Sequence, residues 1–193
     1  MRRRGGCGPA LLGCALALLG CGEADDPCVG AAIEPSRAAV DLGDRLARDP
    51  GGAGDVLDTA RVPVRKTLLL KNTCGTPLTL RQVCLINDQH NGVPGDHAFA
   101  VEGPDRAVVG PGDVAGVRIT YDHADVNADL DMDAVRDPDR AVLVVQSDAA
   151  NAPTLVVPVC GRILPAGETA DPYACPPPFT VPAGQRLDDL CDR

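Results

Sequence analysis

The 193-residue sequence predicts an all-β sandwich of about seven strands. Three observations carry that expectation. No segment sustains a helical period, and 21 glycines and 18 prolines recur along the chain. The apolar residues fall in short runs separated by turn residues, which is the strand signature. The runs are spaced as in a two-sheet sandwich and occupy residues 31–163.

In chain order, "IEPSRAAVDLG" from Ile33 supplies the first strand. "VPVRKTLLLKN" places Val62, Val64, Leu68 and Leu70 on one parity, with Lys66 the exception. "PLTLRQVCLI" puts Leu78 and Leu80 on one face and then, after a one-residue slip, Val83 and Leu85, so a bulge is expected there. "HAFAV" is a short strand with Phe99 and Val101 inward, and "VAGVRITY" alternates Val117, Ile119 and Tyr121. "AVLVVQS" is apolar on both parities, as a central strand would be. "TLVVPVCG" aligns Leu155, Val157 and Val159, while Pro158 points to an edge position. With no Trp, and only Phe99, Phe179, Tyr121 and Tyr173 aromatic, the core must be aliphatic.

The order of these signals resembles the ASH-type immunoglobulin-like domain, whose relatives include the bacterial choice-of-anchor D modules. The matching elements are Leu42-Gly43, the turn Asn72-Thr73-Cys74-Gly75, Pro111-Gly112, Ser147-Asp148 with Pro153, and a closing Gly161. The resemblance implies an immunoglobulin-like β-sandwich over residues 31–163. Residues 44–60 and 122–140 depart from the pattern as longer loops and are the expected contact surfaces. Residues 164–193 form a Pro-rich tail bearing cysteines.

The N-terminus reads as an address. Arg2, Arg3 and Arg4 precede an apolar run from Ala10 to Gly20, the layout of a cleaved export signal over residues 1–20 and too short for a bilayer-spanning helix. "LLGCALALLGC" is similar to the bacterial lipobox twice over, ending at Cys14 and at Cys21. Only Cys21 has a full apolar run before it, and only that choice leaves an even six of the nine cysteines behind. The resemblance implies that Cys21 is acylated and inserts into the lipid bilayer, with residues 21–30 as a short linker. The chain is then exported and held in the cell envelope, with an unidentified envelope protein or matrix component as partner. Gly22 carries no Asp-type inner-membrane retention signal, which favours the outer membrane. Removing the three leader arginines takes the net charge from −9 to −12, which disfavours nucleic acid as a partner.

The six remaining cysteines, Cys28, Cys74, Cys84, Cys160, Cys175 and Cys191, suit disulfides in an oxidising compartment, and no paired C-x₂-C spacing points to zinc. Of the fifteen possible pairings, the alternation of loop ends favours Cys28–Cys74, Cys84–Cys160 and Cys175–Cys191. Asp125, Asn127, Asp129, Asp131 and Asp133 alternate oxygen ligands like the start of a calcium loop, and a Ca2+-dependent adhesion or assembly module is the alternative reading. The EF-hand pattern itself fails, since Leu130 and Arg136 stand where Gly and Glu are needed. His90 and His97 in "DQHNGVPGDH" read as ordinary surface histidines of a turn. No nucleophile elbow, metalloprotease helix, P-loop or dinucleotide fingerprint is present, so the expectation is a non-enzyme without a cofactor.

Overall fold

The computed structural model describes residues 30–47, 59–175 and 191. The expected signal, the acylation site Cys21, Cys28, most of the first long loop and most of the tail lie outside the described residues. Among the described residues nine strands form: β1 (Ile33–Pro35), β2 (Val40–Ala47), β3 (Val64–Asn72), β4 (Leu78–Gln89), β5 (Phe99–Glu102), β6 (Val108–Val109), β7 (Val114–Tyr121), β8 (Asp139–Ser147) and β9 (Thr154–Pro165). One sheet has the order β1-β3-β7-β5 and the other β2-β9-β8-β4-β6. This is an all-β, immunoglobulin-like sandwich. All ladders are antiparallel except β2 with β9, which run parallel.

Two features raise the count above seven. The first predicted strand divides between the sheets. β1 pairs with β3, Ser36 closes that ladder through its N–H and its Oγ at Leu69, and the chain then crosses to join β9 as β2. The other addition, β6, is two residues long, too short to show a period.

The core between the sheets is aliphatic, with Leu68, Leu70, Val117, Ile119, Leu143 and Val145 fully buried. The β4 slip is real, with a register shift between Leu80 and Gln82. It turns Val83 and Leu85 onto the core and frees Ile86 for a second cluster with Val142 and Val144 on the outer face of the sheet. That cluster is why β8 is apolar on both parities. Pro158 lies where β9 has only β8 beside it, one residue before β2 joins at Val40 and Val159, so its missing N–H breaks no ladder with β2. Gly161 does not close β9, which runs four residues further.

The disulfides differ from the expected pairing. Cys84 joins Cys191 and Cys160 joins Cys175, with Cα separations of 5.7 and 5.5 Å. Cys84 and Cys160 cannot join each other. They flank β8 opposite Val144 and Arg140, four residues or roughly 13 Å apart along that strand, beyond the ~7 Å limit for a bridge. Both are mid-strand cysteines, so sorting them by loop end was the wrong geometry. Cys74 is disulfide-bonded, and its expected partner Cys28 lies outside the described residues.

Residues after β9 return along the sheet. Arg162, 1% exposed, makes paired hydrogen bonds of 2.9 and 3.1 Å to Asp44, donates to the Asp171 carbonyl and lies over the Tyr173 ring. Tyr173 donates to Asp41, and burial followed by that contact raises its pKa.

Candidate functional site

Polar side chains converge at the end of the sandwich where β4, β7 and β8 approach the loop 122–138. The loop needs an anchor there because it joins β7 to β8 across the open edge of the core. Asn127 supplies it. It grips β9 with backbone and side chain together, since Asn127 N–H donates to the Ile163 carbonyl and its side-chain Oδ1 accepts Ile163 N–H at 2.6 Å.

Asp139, at the start of β8, is the centre of a buried network. Its side chain is 1% exposed and accepts from Tyr121 Oη at 2.6 Å, from His90 Nδ1 at 2.9 Å and from Asn91 N–H at 3.3 Å. The Asn91 amide is oriented by Ala128, whose N–H donates to its Oδ1 at 2.7 Å. Asn91 Nδ2 therefore faces the Val126 carbonyl and His90 Nε2, which accepts. When the ring is neutral, these partners place its proton on Nδ1. His123 stacks on His90 with centroids 3.6 Å apart, accepts Asp125 N–H at Nδ1 and bonds Asp96 through Nε2. Arg45, 2% exposed, lies over the Tyr121 ring and donates to the carbonyls of Tyr121, His123 and Ala60.

His90 is thus a core group and not the surface histidine expected from its turn sequence, whereas His97 is exposed. Burial opposes its charge, but the Asp139 hydrogen bond and the charges of Asp139, Asp96 and Asp125 outweigh burial and raise its pKa above 6.5. The attraction stabilises the fold fully below the unfolded value of about 6.5 and fades as the pH climbs through the raised folded value. Thermal unfolding should therefore shift to lower temperature from mildly acidic to mildly alkaline pH. In His90→Gln that slope should flatten; an unchanged slope would assign it to another group. Tyr121 is held above its ordinary value by burial first and then by Asp139.

The network has a histidine–carboxylate pair but, among the described residues, no exposed nucleophile beside it, and both ring nitrogens of His90 are spent on internal partners. The two serines also serve the backbone, Ser36 Oγ at Leu69 N–H and Ser147 Oγ at Ala149 N–H and the Ala152 carbonyl.

Of the five expected metal ligands, the fold brings Asp129 and Asp131 together with Asp137, with ligand oxygens within 4.8 Å of one another. Asn127 is 1% exposed and its Oδ1 is occupied. Asp133 instead turns the loop, accepting Val135 N–H, and both Asp129 oxygens accept backbone N–H from Asp133 and Ala134. Asp125 is exposed. Asp131 has a raised pKa through desolvation and then the charges of Asp133, Asp137 and Asp129. Beside this cluster opens a recess of about 720 Å³, lined among others by Asn127, Leu130, Asp131, Asp137 and Arg140. Leu130 is 56% and Met132 87% exposed at the loop's tip.

Sequence reasoning missed Asp139, Arg45 and Asp137. The available signals were a carboxylate heading the most apolar strand and an arginine within an alternating one.

No family model matches the chain, and no curated protein matches it in sequence. Among solved structures it is similar to a protein of unknown function from Porphyromonas gingivalis W83, at 21% identity and TM-score 0.46, covering 69% of this chain and 47% of that one. It is similar to the ASH/PapD-like domain 7 of human CEP192, at 13% identity and TM-score 0.40, covering 72% and 92%. It is also similar to the secreted serine protease VesC from Vibrio cholerae, at 13% identity and TM-score 0.40, covering 72% and 24%. The chain thus spans about half of the Porphyromonas protein and a quarter of VesC.

Proposed function

We propose that this chain is a lipid-anchored cell-envelope protein whose ASH-type sandwich binds a partner and performs no catalysis. The observation that carries the binding reading is the loop 122–138. Its base is pinned to β9 through Asn127, while its tip presents Leu130 and Met132 to solvent among carboxylates. A rigid scaffold bearing an exposed apolar and charged loop is a recognition device. The anchor reading rests on "LLGC" ending at Cys21 behind its apolar run. Two or three acyl chains, at about 0.8 kcal/mol per buried methylene, would hold the protein in the bilayer. The outer membrane is the favoured location and an envelope protein the partner. Cys21→Ser should move the protein from the detergent phase to the aqueous phase; a variant that still partitions with membrane refutes the anchor.

The calcium-dependent alternative has one observation in its favour, the approach of Asp129, Asp131 and Asp137. Three carboxylates leave half or more of a usual calcium shell to be found elsewhere. The alternative requires millimolar calcium to raise the unfolding temperature.

A further inference from the structure

We infer that the recess beside the loop 122–138 receives a lysine or arginine residue of the partner protein, its cation held by Asp131 and Asp137 and its peptide carbonyl by the Asn127 amide. The inference deepens the binding-module reading and rests on it.

Two independent features point to such a ligand. The first is a buried donor with no acceptor. Asn127 lines the recess and is 1% exposed. Its carbonyl arm is turned to β9 and Tyr121, where Oδ1 accepts Ile163 N–H at 2.6 Å and lies 3.4 Å from the Tyr121 hydroxyl. An amide flip would set the NH₂ group against Ile163 N–H, so the orientation is fixed. The NH₂ arm lies on the other side of the planar amide and has no acceptor among the described residues. A buried amide donor left unmade is costly, so the recess favours an oxygen placed against it.

The second feature is charge. Asp131 and Asp137 line the recess with Asp129 behind them, and their oxygens cluster within 4.8 Å. Arg140 also lines it and touches Asp137 at only 3.4 Å, with its side chain 56% exposed. The chain's own cation therefore sits loosely where an incoming one would bind. Leu130 supplies an apolar wall for the methylene stem of a long basic side chain. A recess that offers a donor to a carbonyl and carboxylates to a cation suits a lysine or arginine residue within a peptide. The volume lies in the range of small-ligand sites.

The test is a titration of the full-length, oxidised, ¹⁵N-labelled protein with acetyl-Gly-Lys-Gly-amide, its norleucine analogue and, separately, calcium chloride. The lysine peptide should give saturable shifts at the Asn127 side-chain amide and along residues 129–137, and the norleucine peptide should not. Asp131→Asn should weaken binding by up to about fivefold, as expected for one partly exposed ion pair. Arg140→Ala should tighten it by removing the internal competitor, a sign that misfolding would not produce. Equal shifts with both peptides, or none with either, overturn the inference. Saturation of the same signals by calcium alone assigns the recess to a metal and also overturns it. A failed titration beside Cys21-dependent partitioning removes the recess and spares the anchor; the converse pair of results does the reverse.

Discussion

Asp139→Ala should destabilise the protein by about 3–5 kcal/mol, a large share of what a domain of this size has. The carboxylate is 1% exposed, and removing it strands His90 Nδ1–H and the Asn91 backbone N–H and leaves the Tyr121 hydroxyl only its long 3.4 Å contact to Asn127 Oδ1. Tyr121 is fully buried and His90 is 2% exposed, so water does not replace the lost acceptor without opening the end of the core. Each stranded neutral donor costs about 1–3 kcal/mol, and the sum is bounded by how far the site relaxes. Asp139→Asn should cost less, because an amide oxygen at the Oδ2 position still accepts from Tyr121 and His90, while the NH₂ at the Oδ1 position must face the Asn91 N–H. Urea denaturation measures both, with the midpoint falling and the slope unchanged if the native state stays compact. A loss below about 1 kcal/mol for alanine would mean that the hydrogen bonds are not coupled to folding. The loop 122–138 should loosen in the same variant, since Asn91 ties Asp139 to Val126 and Ala128.

How much of this was legible in the sequence depends on the range of the signal. Strand periodicity is a local property, so Leu68 and Leu70, Val117 to Tyr121 and the double-sided β8 could be read directly. So could the β4 bulge, because a slip in a period of two leaves a mark in the sequence itself. The pairing of Cys84 could not. It depends on which residue of β8 lies opposite, and register is a property of two strands. The buried network was hidden for a related reason. His90 sits in "QHNG", which reads as a turn and is one, with Asn91 in the left-handed region at φ 49°. Only the fold reveals that this turn folds inward against Asp139, 49 residues away. The acidic run was visible, but periodicity could not tell that Asn127 serves the scaffold and that Asp137, outside the alternating series, replaces it in the cluster.

Gly161 shows the same gap between pattern and cause, and its substitution is the second severe change expected. In the sequence it looked like the end of a strand. In the fold it lies within β9 opposite Asp139, and a Cβ there would come within 2.7 Å of both Cδ1 and Cε1 of Tyr121. That ring has nowhere to go. Phe99 stacks on it at 4.8 Å, the Arg45 guanidinium lies 5.1 Å from its centre, and its hydroxyl is bonded to Asp139. Gly161→Ala should therefore cost about 1–3 kcal/mol from overpacking, and more if the ring's shift also lengthens the bond to Asp139. Gly103→Ala is the control, since an added methyl there meets nothing within 4 Å, and it should leave stability nearly unchanged. A double-mutant cycle isolates the cause. In a Tyr121→Leu background the clash is gone, so adding Gly161→Ala should cost far less than in the parent, and the difference is the coupling between the two sites. Equal costs in both backgrounds would show that glycine is needed here for its backbone, and the missing side chain opposite Asp139 would lose its role as the space through which Tyr121 reaches the carboxylate.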